Sequence, residues 1–239
     1  MKLTKEEIKY IENYLIKNEV KFWDVRLELL DHIVSAIEDK IDNEGISFNE
    51  ALLDVHHGFG NRIHNGYTYD LDFEKALHID NKGFKKFTLK AQKEMGRQHR
   101  KRFWKTFPKY LMSFRFFIEI LIVIGVVYNV HQQSPKTSAI IALIVCFMPE
   151  IFKVFFGVFD RYNRRSLKMQ MAVNLSSLYV CMSYLSMSIF NSYYEDAANK
   201  PYVYLTVTFV CLFPFARHGL TTYKQIFKEN QKEYKLMCS

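Results

Sequence analysis

Hydrophobic and polar positions follow two different rhythms in the two halves of the chain. In the N-terminal half apolar residues recur at three- and four-residue spacing, which predicts amphipathic helices. Ile8, Ile11 and Leu15 form the stripe of a first helix over 4–18. Val25, Leu29, Ile33, Ile37 and Ile41, widened by Leu30 and Val34, form that of a second over 22–43. Ala51, Leu52 and Val55 form that of a third, ending near His57. Thr4 with Glu7, and Ser47 with Glu50, fit capping boxes, in which each side chain satisfies the other residue's free amide. Gly45 stands where a helix ends in the left-handed conformation.

In the C-terminal half the apolar positions are continuous. Four stretches, 111–130, 138–159, 171–190 and 201–216, approach the roughly 20 residues that a membrane span requires. Short connections between them imply antiparallel neighbours. The expected fold is therefore all-α: an acidic cytosolic helical domain (1–65), a basic juxtamembrane linker or helix (66–110), a four-helix transmembrane bundle (111–216) and a basic C-terminal helix (217–239).

Charge sharpens this division. Residues 1–80 hold 9 Lys/Arg and 17 Asp/Glu, whereas residues 81–239 hold 24 and 8. The mean hydropathy near zero is an average over these unlike parts. The segment 91–110, the connection 160–170 with Arg161, Arg164, Arg165 and Lys168, and the tail after Ala216 together carry 16 Lys/Arg. The opposite connections carry only Lys136 and Lys200, beside Glu195 and Asp196. The positive-inside rule then puts both termini in the cytosol of a cytoplasmic membrane. Residues 1–10 are charged, with no apolar core of a signal peptide. The segment 82–109 carries 11 Lys/Arg against Glu94 alone, interspersed with Phe84, Phe87, Phe103, Trp104 and Phe107. Such a segment reads either as a helix on the anionic inner leaflet or as an ordinary topology-setting flank. No recognised nucleic-acid-binding fold frames it, so nucleic acid is not an expected partner.

Chemistry-bearing residues inside the apolar stretches are few. Glu119 falls in the first; Glu150 and Lys153, three residues apart, fall in the second beside Pro149. At 1.5 Å per residue all three sit roughly 9–14 Å from the cytosolic ends of their spans. Charges at such depth need a partner or a wet cavity. Lys153 can pair with Glu119 or with Glu150. Pairing Arg115 with Glu119 and Glu150 with Lys153 would give a neutral four-residue cluster needing no ligand; a proton or ion site is the alternative. The third stretch is interrupted by Asn174, Ser176, Ser177, Ser183, Ser186 and Ser188, small polar residues that let helices approach closely. Cys146, Cys181, Cys211 and Cys238 form no C-x-x-C pair and read as apolar filler. Among His32, His56, His57 and His64 no H-x-x-x-H pair exists. Gly58-Phe59-Gly60 lacks the Lys-Ser/Thr of a phosphate loop. No metal, cofactor or catalytic residue is expected.

One resemblance adds a functional expectation. Leu29-Leu30-Asp31-His32 with Ile37-Glu38, then Gly45, Glu50-Ala51-Leu52 and the Phe59-Gly60 break, make residues 4–65 similar to the N-terminal part of HAAS-type domains. These are helical signalling domains found with helix-turn-helix regulators, and they commonly continue into transmembrane helices. Their usual Gly-Asp/Glu-Pro ending is replaced here by His57-Gly58-Phe59-Gly60-Asn61. The resemblance implies a non-enzymatic regulatory or signalling role with a cytosolic protein partner. A small transporter, or a membrane subunit of a transport complex using Glu119, Glu150 and Lys153, is the rival expectation.

Overall fold

Capping chemistry and apolar stripes become nine helices in a computed structural model that describes residues 2–61, 73, 77, 80–159, 165–195 and 200–238. The helices are α1 (Lys5–Lys17), α2 (Trp23–Glu44), α3 (Phe48–Gly58), α4 (Lys82–Leu111), α5 (Phe114–Gln133), α6 (Pro135–Phe159), α7 (Leu167–Ser176), α8 (Leu178–Tyr194) and α9 (Tyr202–Cys238). No strand occurs among the described residues. Four helical segments are long and apolar enough to cross a membrane: α5, α6 to Phe155, α7 with α8, and α9 to Leu236. Arg161, Arg164, His64 and Asp196 lie outside the described residues.

The chain divides into two compact units. The first comprises residues 1–94 with 165–167, the second 95–164 with 168–239. In the first, both capping boxes form as the sequence predicts: Thr4 with Glu7, and Ser47 with Glu50. Each cap draws its glutamate's pKa below the usual carboxylate range, chiefly through the backbone N–H of the capping residue. Gly45 ends α2 at φ +65°, where a side chain would be strained. The core is built from Ile11, Leu15, Val25, Leu29, Ile33, Ile37, Ala51 and Leu52, all fully buried. Ile8 and Ile41, at the ends of their stripes, are only half-buried.

This unit runs past the expected boundary at 65. Phe84, in the first turn of α4, is buried against Tyr14, His56 and Phe59 at ring separations of 5.8, 5.9 and 5.5 Å. Gly83 admits it: the Gly83 amide donates to Asn61 Oδ1 at 2.8 Å, and a Cβ there would lie 2.2 Å from the Phe59 carbonyl oxygen. Residues 165–167 also belong here. Asp24, in the first turn of α2, accepts from the Leu167 amide at 3.0 Å and from Ser166 Oγ at 2.9 Å. Asp24 thereby fills the N-cap role for α7 from a distant part of the chain. The Trp23 amide donates to the Arg165 carbonyl at 2.9 Å.

In the second unit α9 packs most extensively on α6, α6 on α5, and α8 on α9. Small residues line these seams: Ala139, Ala142, Cys146 and Ala216 are buried there with Phe209. Large apolar side chains such as Phe114, Ile122, Ile151 and Leu185 point outward, the inverse of a water-soluble bundle. Two helices differ from the expected spans. The fourth apolar stretch and the basic tail are one 37-residue helix, α9, with Pro214 inside it. The third is broken at Ser177 (φ −102°, ψ 7°).

Candidate functional site

The break at Ser177 is where the charges of α6 are consumed. Ending α7 at Ser176 leaves C-terminal carbonyls without intrahelical donors. Lys153 supplies one: its Nζ donates to the Ser176 carbonyl at 2.9 Å, with Ser176 Oγ at 3.1 Å and Ser177 Oγ at 3.2 Å. Glu150, one turn back along α6, lies 2.6 Å from the same ammonium. The Glu150 carboxylate also accepts from Ser177 Oγ at 2.6 Å and Tyr179 Oη at 3.2 Å. The cation thus meets the negative end of α7, and the anion meets the first turn of α8, so both helix dipoles are complemented. The Lys153 side chain is 1% exposed and Glu150's is 21% exposed. Gly219 of α9 completes the arrangement, because a Cβ on it would stand 2.8 Å from the Ser176 carbonyl oxygen. Only glycine allows the two backbones this close.

Glu119 has a separate setting. Arg217 of α9 grips it with a two-pronged contact, Nε to Oε2 and Nη2 to Oε1, both at 2.8 Å. Arg115 adds Nε to Oε1 at 3.2 Å, one turn away on α5, but its side chain is 80% exposed. Both expected contacts, Arg115 with Glu119 and Glu150 with Lys153, are present. The single neutral cluster is not: among the described residues the two sites share no hydrogen bond or ion pair, and Arg217 gives the Glu119 site a surplus positive charge. Arg217 is absent from the expected site because the apolar stretch ends at Ala216 in the sequence and the residues beyond it read as a basic tail. A helix drawn straight through would have carried Arg217 alongside the first turns of α5.

The aromatic residues of α4 also have internal partners. Phe103 and Phe107 are buried, Phe107 stacking on Phe215 at 4.6 Å and Phe103 meeting His218 at 4.7 Å. Arg102 and Glu229 form a two-pronged ion pair at 2.9 and 2.7 Å. Of the aromatic residues expected on a leaflet, Trp104 is the one left largely exposed in this helical half. His99 is buried, and burial lowers its pKa.

Two adjoining cavities open beside Glu119. One of about 680 Å³ lies among Tyr110, Arg115, Glu119, Arg217, Lys224 and Lys228. The other, of about 470 Å³, is mostly apolar and shares Glu119, Arg217 and Lys224 with the first. Tyr110 Oη is buried without a hydrogen-bond partner, and burial, then the Glu119 charge, raises its pKa. Among the described residues no group of three or more His, Cys, Asp or Glu is placed to hold a metal ion. No family model, curated protein or solved structure matches this chain.

Proposed function

We propose that this chain is a non-enzymatic, multi-pass regulatory or signalling membrane protein, with both termini cytosolic. Its acidic N-terminal unit would receive a cytosolic protein, and its four apolar helices would anchor it in a cytoplasmic membrane. The observation that carries this reading is the Asp24 cap on Ser166 and Leu167. It makes the segment that opens α7 part of the acidic unit, so a partner bound to that unit acts on the start of a membrane-crossing helix. The basic asymmetry, which places the N-terminus and the connection 160–170 on one side of the membrane, supports the same reading. The similarity of residues 4–65 to HAAS-type domains points the same way, as family analogy.

Internal satisfaction of Glu119, Glu150 and Lys153 favours anchoring over transport, since each already has a partner of opposite charge. The rival reading, a subunit of a transport complex, draws on the break at Ser177: interrupted helices beside charged residues line substrate sites in transporters. Copurification of the full chain from mild detergent separates the two. A stoichiometric soluble regulator, lost when acidic residues of α2 are reversed, supports the first; a transport ATPase or channel subunit replaces it with the second. Labelling from outside intact cells at a cysteine replacing Lys2 or Lys235, with none at Glu195, would overturn the topology.

A further inference from the structure

The cavity beside Glu119 is predominantly cationic. Four cationic side chains, Arg115, Arg217, Lys224 and Lys228, line it against the single carboxylate of Glu119. That carboxylate neutralises one of them, and Lys224 Nζ also lies over the Phe152 ring, 5.9 Å from its centroid. Arg115 uses only Nε on it, and Lys228 makes no ion pair among the described residues. The cavity also meets the N-terminus of α5, where Ser113 caps the Phe116 amide and the helix dipole is positive. Tyr110 Oη, a buried hydroxyl without a partner, lies on its wall.

The neighbouring cavity is of the opposite character. Beyond the three residues it shares with the first, its wall is apolar, including Ile122, Val145, Met148, Phe152 and Leu220. Ile122 and Phe152 are 61% and 47% exposed, so this wall opens on the apolar outer surface of the bundle. A charged chamber at the first turn of a span, continuous with an apolar groove running along that span, matches an amphiphile with an anionic head. Free phosphate would use only the first chamber.

We propose that this double cavity binds one anionic phospholipid of the surrounding leaflet, its phosphate held by Arg115, Lys224 and Lys228 and an acyl chain laid in the groove of Ile122, Met148 and Phe152. Arg217 is the positioning residue, held in place by Glu119.

The test uses the full chain in detergent, with bound lipid counted by native mass spectrometry. Phosphatidylglycerol should bind at least about tenfold more tightly than phosphatidylcholine, and glycerol phosphate should not displace it. Replacing the two exposed cations together, Arg115→Gln with Lys228→Gln, should weaken phosphatidylglycerol roughly 30-fold. Ile122→Trp, which fills the groove, should weaken it as well. Equal binding of the two lipids, or unchanged binding in the double variant, overturns the site. Glycerol phosphate competing as well as the lipid, with Ile122→Trp silent, overturns the lipid in favour of a free anion. Both replaced cations are exposed, so the double variant carries the test even where the tryptophan variant does not fold.

Discussion

Replacing Lys153 by methionine tests whether the break in α7–α8 is held together by this one ammonium. The change removes the Glu150 ion pair and three further contacts to serine oxygens, at a side chain only 1% exposed. Breaking a buried pair costs about 3–5 kcal/mol, because one charge is left behind. Glu150 is 21% exposed and keeps its Ser177 and Tyr179 donors, which favours the lower end, about 3 kcal/mol. The orphaned Ser176 carbonyl adds about 1 kcal/mol. A loss of about 4 kcal/mol corresponds to a melting temperature roughly 10 °C lower for a chain of this size. Adding Glu150→Gln removes the stranded charge while keeping an oxygen acceptor for Ser177; the Tyr179 hydroxyl can then accept from the amide NH2. The double variant should therefore recover more than half of the loss, leaving about 1–2 kcal/mol from the carbonyl. Thermal melting of both single variants and the double in one detergent measures this. A Lys153→Met protein that melts like the parent, or a double variant whose loss is the sum of the singles, would refute the reasoning. Single variants that stay folded but lose an ion-dependent activity would move the site to transport.

Four further outcomes follow from other parts of the structure. Gly219→Ala should lower the melting temperature, since overpacking against the Ser176 carbonyl, about 1–3 kcal/mol, exceeds the gain of about 1 kcal/mol in helix propensity. Gly125→Ala, with nothing within 4 Å of its added Cβ, should be neutral or stabilising in the same melt. His99 is held neutral by burial, so its folded pKa lies below its unfolded value; its contribution is complete above about pH 6.5 and is lost as pH falls. Melting temperature should drop from pH 7 to 5, and His99→Gln should flatten that slope. A fragment of residues 1–94 should show more helix by circular dichroism, and a sharper urea transition, than 1–65, which lacks Phe84; equal transitions would show that Phe84 is dispensable to the core.

What was legible in the sequence rests on local chemistry. The capping boxes at Thr4 and Ser47, the left-handed end at Gly45, the stripe from Val25 to Ile37 and the four apolar stretches all follow from residues within a few turns of one another. The i, i+3 contact of Glu150 with Lys153 and the i, i+4 contact of Arg115 with Glu119 belong to the same class, because helix geometry alone makes them neighbours. The decisive partners are separated by much more chain. Glu119 meets Arg217 across 98 residues, Lys153 meets Ser176 across 23, and Asp24 meets Leu167 across 143. Such pairings depend on which helix lies beside which, and at what depth and rotation. An apolar helix in lipid carries little information about this, because its outer face tolerates any large apolar residue. Helix pairing was decided instead by small residues that only the folded bundle brings face to face, as Gly219 shows by letting α9 press against the broken end of α7. Composition and periodicity therefore determined that the chain has an acidic helical unit and four membrane-length helices. Tertiary packing alone decided that the charges within its apolar helices form two separate sites, one closed around a helix break and the other opening into a cationic cavity.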